Sequence, residues 1–193
     1  TWDNGDNTTS LSGLAAGIYT VTVVDNVNGC VAVDTALVDE GAIITLNVGS
    51  ANGCQNEIVS VPVTLDNLFD GSGFSFTVRV NTVAVGTILG LTNINPLLAG
   101  FVSNPLPGNS YGVFWANPGA PVDLPIGTHL FDVSIQLGAA AAGSSSLVSI
   151  SGTPLQLEFF QDSLGNQVAV TNININNGSV TIDCVVPNLS VGG

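Results

Sequence analysis

The sequence predicts an all-β protein folded as an antiparallel sandwich or jelly roll. Its regular stretches alternate apolar and polar residues with a period of two, as half-buried strands do. Residues 59–65 are the clearest case, because one face of this stretch carries only aliphatic side chains, namely Val59, Val61, Val63 and Leu65. The one helix-forming run, residues 139–142, consists of four alanines between two glycines and is too short to nucleate a helix.

The predicted strands follow one another at short intervals. In chain order they are residues 18–24, 42–48, 59–65, 74–80, 112–116, 131–137, 147–151, 155–160, 168–175 and 179–183. Turn-forming pairs lie between them, with Asp-Gly at 70–71, Pro-Gly at 107–108 and 118–119, and Asn-Gly at 177–178. Within residues 74–80 the phenylalanines and valines form one face, so Ser75, Thr77 and Arg79 are expected to face outward.

The composition excludes several classes of partner. The 193 residues include 14 acids but a single base, Arg79, so the net charge is −13. Nucleic-acid binding requires several basic residues, and the same shortage argues against an anionic membrane surface. The sequence contains no apolar run of the roughly 18 residues that would insert into a membrane. A polar, lysine-free surface and three cysteines outside any zinc motif are typical of secreted or cell-surface β-proteins with disulfides.

The chain divides near residues 39–41. Residues 1–40 are too few for an independent core, whereas residues 41–184 can form one complete sandwich of about nine strands. Residues 185–193 are expected to be a linker or the start of a next repeat. Because the sequence begins at Thr1 without a signal peptide, we expect it to be a processed piece of a longer protein.

The first segment resembles the second half of an SprB-type repeat, which occurs in tandem in surface adhesins of Bacteroidetes. The resemblance rests on residues 2–5 (WDNG), residues 14–23 (LAAGIYTVTV), Asp25 and residues 28–30 (NGC). It implies a partial Ig-like repeat whose first half, with a further cysteine, is missing from residues 1–40.

The second segment resembles a cohesin-type domain over residues 43–183. The matching stretches are residues 61–65 (VPVTL), 73–77 (GFSFT), 98–100 (LAG), 127–143 and 177–182 (NGSVTI). The resemblance implies a nine-stranded jelly roll that binds a dockerin-like partner, and it places Ser75, Thr77 and Arg79 on the partner-binding face.

The cohesin resemblance also implies a disulfide. It sets the first strand, residues 43–48, beside the last, residues 179–183, in parallel, which brings Cys54 and Cys184 to one edge of the sandwich. Cys30 is then left for a partner in the missing half-repeat. A competing connectivity joins Cys184 of one copy to Cys30 of another and would link copies head to tail.

We predict no catalytic residues. Nucleophilic catalysis needs a base beside Ser or Cys, and the one histidine, His129, lies at the start of a strand without a recognisable nucleophile motif. Glycoside hydrolysis needs only two carboxylates, but most of the acids have turn contexts.

Calcium is the one cofactor that the sequence leaves open. Asp25 with Asn28, and Asp66 with Asp70, offer oxygen ligands, but neither pair has the full ligand set of a calcium loop. Such Asp and Asn clusters also turn strands, which is the interpretation that we prefer.

Two short motifs predict modification with glycans. Thr35 and Ser163 lie in the Asp-Ser/Thr-apolar pattern that Bacteroidetes O-glycosylate on exported proteins. Taken together, the sequence predicts a structural or adhesive segment of an exported surface protein that contacts neighbouring domains or copies. The alternative is a binding module for a dockerin-like protein or for surface glycans, in which exposed aromatic residues would stack on sugars.

Overall fold

The structure is a computed structural model, and it describes residues 1–12, 14, 17–38, 43–163 and 166–184. Within these residues all regular elements are strands, so the predicted all-β class is confirmed and no helix exists there that could cross a membrane. The strands are β1 (Gly17–Val24), β2 (Val31–Val38), β3 (Ile44–Val48), β4 (Ser50–Cys54), β5 (Ile58–Asp66), β6 (Leu68–Val80), β7 (Gly86–Thr92), β8 (Val102–Leu106), β9 (Ser110–Ala116), β10 (Val122–Leu124), β11 (Thr128–Leu137), β12 (Ser145–Ser151), β13 (Glu158–Ser163), β14 (Asn166–Ala169), β15 (Ile173–Asn176) and β16 (Gly178–Cys184).

The chain forms two compact units, Thr1–Gly41 and Ala42–Gly193. The proposed boundary at residues 39–41 and the proposed linker at residues 185–193 lie outside the described residues. In the first unit, β1 and β2 pair as an antiparallel hairpin, with Gly17 opposite Val38 and Val24 opposite Val31. An isolated bridge joins Trp2 to Val21, so the beginning of the chain pairs with the other edge of β1.

The second unit is a sandwich of two sheets. One sheet has five strands in the order β15-β3-β5-β11-β7. The other has nine, with β14-β13-β6-β12-β16-β4 as its main path, β9 and β10 also paired to β6, and β8 paired to β9. The described part of this unit thus has fourteen strand segments where the sequence indicated about nine. The additional ones, such as β4, β7 and β8, contain Gly, Asn or Pro, which interrupts the alternation on which the prediction depended.

The core lies between the two sheets. It contains the aliphatic faces of β5 and β11, where alternate residues are buried as the sequence predicted. Five aromatic rings fill its centre, those of Phe74, Phe76, Trp115, Phe131 and Phe159, with neighbouring centroids 5.3–6.2 Å apart. These contacts fix the position of β6, the strand that runs through the middle of the nine-stranded sheet.

The first and last segments of the sandwich change sheets side by side. β3 pairs in parallel with β15, and β4 pairs in parallel with β16. The predicted parallel pairing is therefore present, but the strand opposite β3 is β15 and not residues 179–183. Both segments cross between the sheets at the same level, where a Cβ atom on Gly178 would lie only 1.7 Å from the carbonyl oxygen of Gly49. The sequence could not show this crossing, because it depends on the close approach of two chain segments that are far apart in sequence.

Candidate binding face on the nine-stranded sheet

One face of the nine-stranded sheet points away from the core. Cross-strand partners place side chains on this outer face in three rows, because residues directly opposite each other share a face. The rows are Ser149–Arg79–Ser110–Leu106, Ser151–Thr77–Gly112–Asn104 and Glu158–Ser75–Phe114–Val102. These rows define the outer face and include the three residues that the sequence assigned to a partner-binding strand.

The expectation that Ser75 and Thr77 face solvent is wrong. Ser75 is 6% exposed and Thr77 is 0% exposed. The connection between β12 and β13 folds over β6, and the two hydroxyls hold its backbone. Ser75 Oγ donates to the carbonyl oxygen of Gln156 at 2.8 Å, and Thr77 Oγ1 accepts from the Leu155 amide at 3.1 Å. The two residues therefore position this connection and cannot contact a partner themselves.

An apolar groove opens beside the connection. It encloses about 320 Å³ and is lined by Val102, Asn104, Leu106, Gly112, Phe114, Pro154 and Leu155. Leu155 reaches the groove because Thr77 holds its backbone. Gly112 forms part of the floor, and a Cβ atom there would lie 3.1 Å from Leu106 Cδ1. A side chain at this position would therefore press against Leu106 and narrow the groove.

Phe114 forms the ridge at one end of the groove. Its side chain is 50% exposed, and neighbouring Val102 is 47% exposed. Beyond Phe114 lies a second, smaller depression of about 140 Å³, whose lining includes Glu158, Phe160 and Gln167. Large apolar side chains exposed next to a concave surface are typical of a contact site.

Arg79 lies at the opposite end of the groove. It is adjacent to Ser110 on β9, which in turn is opposite Leu106 of the groove. Its guanidinium lies against the turn between β8 and β9, since Nη2 is 3.8 Å from the position that a Cβ atom on Gly108 would take. Arg79 Nε is buried and has no hydrogen-bond partner, and no ion pair to a described acid is present. The one arginine of the chain is thus without a counter-ion among the described residues.

The side-chain oxygens of Asp25 and Asn28, the first predicted calcium pair, accept hydrogen bonds from nearby backbone amides. Asp25 Oδ1 accepts from the Val27 amide at 2.8 Å, and Asn28 Oδ1 accepts from the Cys30 amide at 3.0 Å. These are Asx turns at the end of the hairpin, which agrees with the turn interpretation.

In the second pair, the Asp66 carboxylate accepts local hydrogen bonds, whereas Asp70 contacts its neighbour through its backbone amide. Asp66 accepts hydrogen bonds from the Gly127 amide and from Asn47 Nδ2, whereas Asp70 has a left-handed backbone at φ 48° and donates its amide to Asp123 Oδ1. Across the described ranges, no three or more His, Cys, Asp or Glu side chains come together as metal ligands.

The three cysteines have different surroundings. Cys54 and Cys184 form a disulfide at the in-register ends of β4 and β16, where their Cα atoms are 4.6 Å apart. Cys184 is therefore occupied within the chain and is not free for the alternative pairing with another copy. Cys30 is a free, exposed thiol directly before β2.

The histidine belongs to a structural hydrogen-bond group. His129 Nε2 lies 2.8 Å from Asp132 Oδ1, and Asn93 Nδ2 donates to Asp132 Oδ2 at 3.1 Å. Burial acts to raise the pKa of Asp132, but the hydrogen bonds from His129 and Asn93 outweigh it, so the pKa lies below its ordinary value. This group joins β11 to the residues that follow β7.

Of the two predicted glycosylation sites, the structure describes the side chain of Thr35 but not that of Ser163. Thr35 is exposed on β2, where its amide donates to Asp34 Oδ1, and its glycosylation stays a prediction. The side chain of Ser163 lies outside the description. Stacking of aromatic residues on sugars, part of the alternative function, cannot involve Trp115, because it is fully buried and donates Nε1 to the carbonyl oxygen of Ala99.

No family model and no curated protein matches this chain. Several solved structures, however, have the same fold as the sandwich. The seventh ScaB type I cohesin from Pseudobacteroides cellulosolvens aligns with a TM-score of 0.63 and 14% identity over 78% of this chain and 98% of that one. A non-cellulosomal cohesin from the archaeon Archaeoglobus fulgidus aligns with a TM-score of 0.55 and 19% identity over 77% and 94%. The sandwich has the fold of a cohesin domain.

A third similar structure contains a bound partner. It is the OlpC cohesin of Clostridium thermocellum in complex with a dockerin, with a TM-score of 0.61 and 10% identity over 76% of this chain and 98% of that one. The predicted cohesin-like jelly roll is therefore confirmed as a fold. The comparisons give no sequence match to an SprB-type repeat, so that part of the prediction stays a hypothesis.

Sequence reasoning missed the groove itself. Its lining comes from β8, β9 and the β12–β13 connection, of which residues 102–106 carry no alternating pattern. The one available signal was Phe114, an aromatic residue between the core residues Val113 and Trp115 on a predicted strand. In a regular strand, neighbouring residues point to opposite faces, so Phe114 should point away from the core that contains Val113 and Trp115. β9 is regular at this point, and Phe114 does lie on the outer face.

Proposed function

We propose that the sandwich is a non-catalytic protein-binding module of a secreted or cell-surface protein, and that it binds a dockerin-like protein partner through the outer face. The observation that carries this proposal is the apolar groove flanked by exposed Phe114 and Val102, next to an unpaired cation. An exposed apolar concavity with a polar rim is the usual composition of a protein contact site. The cohesin-like fold supports the same interpretation, because similar domains have been solved in complexes with dockerins.

The structure offers a matched pair of variants for a test. Phe114→Ser removes the exposed ring from the groove, whereas Ile58→Ser removes a side chain of similar exposure, 59%, from the five-stranded sheet. We expect the wild-type protein and Ile58→Ser to capture the same partner from extracellular extract of the source organism, and Phe114→Ser to lose it. Capture of the same proteins by Phe114→Ser would show that the groove is not the docking surface.

A second candidate function is assembly of an adhesive or filamentous surface protein, and it is favoured by the first unit. One face of its hairpin carries Ile18, Val24, Val31 and Val33, all 51–69% exposed. A two-stranded hairpin with an uncovered apolar face is marginally stable on its own in water. Contact with a neighbouring domain or another copy would cover this hairpin face, and Cys30 beside it would supply a covalent link.

Sedimentation velocity and non-reducing gels separate assembly from the binding-module function. We expect concentration-dependent dimers or larger species that weaken when Val31 and Val33 are changed to Thr, and a disulfide-linked band that disappears in Cys30→Ser. A protein that stays monomeric at all concentrations, with Cys30 unlinked, would exclude assembly through this unit. SprB-like tandem organisation, Bacteroidetes origin and glycosylation belong to this second proposal.

A further inference from the structure

We infer that the apolar groove selects a partner segment with one carboxylate beside an aliphatic side chain, so that the carboxylate binds Arg79 and the aliphatic side chain lies on Leu106 and Leu155. This inference rests on the proposed binding function of the outer face and specifies the chemistry of the partner. Two observations carry it. The groove is lined mainly by apolar side chains, and at one end of it lies the chain's one arginine, which has no counter-ion among the described residues.

The groove runs along β8 and β9. One wall consists of alternate residues of β8, which share one face of that strand, namely Val102, Asn104 and Leu106. The opposite wall is the β12–β13 connection, which lies over β6 on the other side of β9 and contributes Pro154 and Leu155. Because four residues of a strand extend about 13 Å, the groove is long enough to hold more than one side chain of a partner.

Two leucines form an apolar surface at the middle of the groove. Gly112 on β9 has no side chain, which lets Leu106 and Leu155 approach each other from opposite walls. A Cβ atom on Gly112 would lie 3.1 Å from Leu106 Cδ1 and 3.5 Å from Leu155 Cδ2. An aliphatic side chain of a partner that enters here would therefore contact carbon atoms of both leucines and would be removed from water.

Arg79 lies at the Leu106 end of the groove. It is opposite Ser110 on β9, which in turn is opposite Leu106 on β8, so all three share one row. Its side chain extends across β9 to the turn between β8 and β9, where Nη2 is 3.8 Å from the position that a Cβ atom on Gly108 would take. Ser110 is 2% exposed, which agrees with an arginine side chain lying over it. The guanidinium therefore adjoins the groove directly, without the covered Thr77 between them.

The surroundings of this guanidinium favour a carboxylate. Nε is buried without a hydrogen-bond partner, and no hydrogen bond or ion pair joins the Arg79 side chain to another described residue. A partly buried guanidinium has lost part of its hydration, and this loss is costly unless an anion replaces the water. The two terminal nitrogens carry the remaining N–H donors, which match the two oxygens of a carboxylate. A neutral amide would replace only part of the lost hydration.

The separation of the two contact points defines the pattern of the partner. Arg79 is in the row of Ser110, and Gly112 is in the next row, about 6.6 Å further along the strands. Side chains two residues apart in an extended segment, or three to four apart on a helix, have comparable separations. The groove thus specifies an acidic and an aliphatic side chain on the same side of the partner segment, whichever backbone conformation that segment has.

The charge of the whole protein limits the partner to one carboxylate at this site. The chain has 14 acids, and Arg79 is its one arginine or lysine. A second carboxylate on the bound segment would find no second arginine or lysine, and the field of the 14 acids would repel it. The expected segment is therefore neutral or basic apart from the acid that Arg79 binds.

The probe for the test is an mRNA-displayed library of random twelve-residue peptides, selected on the full chain in a Cys30→Ser background. We expect the enriched peptides to contain one Asp or Glu and one Val, Ile or Leu at the spacings given above, and no second acid. The most enriched peptide is synthesised together with a version in which its acid is replaced by the amide. Affinities are measured by fluorescence anisotropy at low and physiological salt.

Matched variants distinguish the possible results. Arg79→Gln is expected to weaken binding of the acidic peptide at least about tenfold, which corresponds to about 1.4 kcal/mol, and to change binding of the amide version little. Arg79→Lys keeps the charge but not the fork of donors, so it should restore only part of the affinity. Gly112→Val narrows the groove and Phe114→Ser removes its exposed ridge, so each should weaken both peptides, whereas Ile58→Ser should leave both unchanged. Circular dichroism melts confirm that each variant is folded.

The single arginine also provides a direct spectroscopic readout. With ¹⁵N-labelled arginine the protein gives one side-chain Nε–H signal, which should shift when the acidic peptide binds and much less with the amide version. If peptides bind and respond to Phe114→Ser and Gly112→Val, but the acid and amide versions bind equally and Arg79→Gln has no effect, the carboxylate inference is wrong and the binding function stands. If no peptide is enriched, or binding ignores both groove variants, the proposed binding function fails as well.

Discussion

The disulfide between Cys54 and Cys184 should contribute a large part of the stability of the sandwich. It closes a loop with a sequence separation of 130 residues, between the paired ends of β4 and β16. The chain-entropy treatment gives about 5 kcal/mol for a loop of this length, because the cross-link removes conformations from the unfolded chain. For a domain of about 150 residues, this corresponds to a fall of roughly 10–20 °C in melting temperature.

The assay is urea unfolding at 25 °C, followed by fluorescence of the buried Trp115. The background carries Trp2→Phe and Cys30→Ser, so that only the sandwich reports and no thiol can exchange. We expect Cys54→Ala with Cys184→Ala to lower the free energy of unfolding by about 5 kcal/mol, and a reductant to lower that of the background protein by a similar amount. A loss below about 2 kcal/mol, or an equal effect of reductant on the double variant, would refute the reasoning.

Three further predictions concern acid stability, the sheet crossing and salt. The pKa of Asp132 is lowered in the folded state, so the ionised side chain stabilises the fold fully above about pH 4, and this stabilisation is lost as the pH falls through the folded-state pKa. Below about pH 4 the urea midpoint should therefore drop less in Asp132→Asn than in the wild type. Gly178→Ala should cost at least about 2 kcal/mol in urea unfolding because its Cβ meets a backbone carbonyl, while Gly90→Ala, with open space around it, should cost almost nothing. Self-association through the hairpin face should increase as salt shortens the Debye length from about 30 Å to about 3 Å, and sedimentation velocity should show less of this increase when Val31 and Val33 are replaced by Thr.

Regular alternation was a sound guide where strands are buried on one face only. Residues 59–65 and 131–137 alternate in sequence and in burial, because β5 and β11 have the core on one side and solvent on the other. The same reasoning failed on β6. Its polar residues Ser75 and Thr77 alternate with phenylalanines, but a distant connection covers them and uses their hydroxyls.

The sequence predicts features made by neighbouring residues, but not features made by segments that are far apart in the chain. A turn such as the one at Asp25 can be predicted, since its hydrogen bonds join residues two to five positions apart. The groove cannot be predicted in this way, because Val102, Phe114 and Leu155 meet only after β8, β9 and the β12–β13 connection have assembled around β6. The cohesin resemblance supplied the jelly-roll fold but no side chain at the groove, because the similar structures named above share only 10–19% of their residues with this chain.

For the proposed binding function, the distribution of charge would select partners of the outer face at two distances. The field of 14 acids against one base acts over about a Debye length and favours partners that are not strongly negative. Arg79 acts only at contact distance, where a single carboxylate can replace the water that its guanidinium has lost. The first effect would govern the rate of encounter and weaken with salt, whereas the second would act only on a partner already in contact and change less with salt.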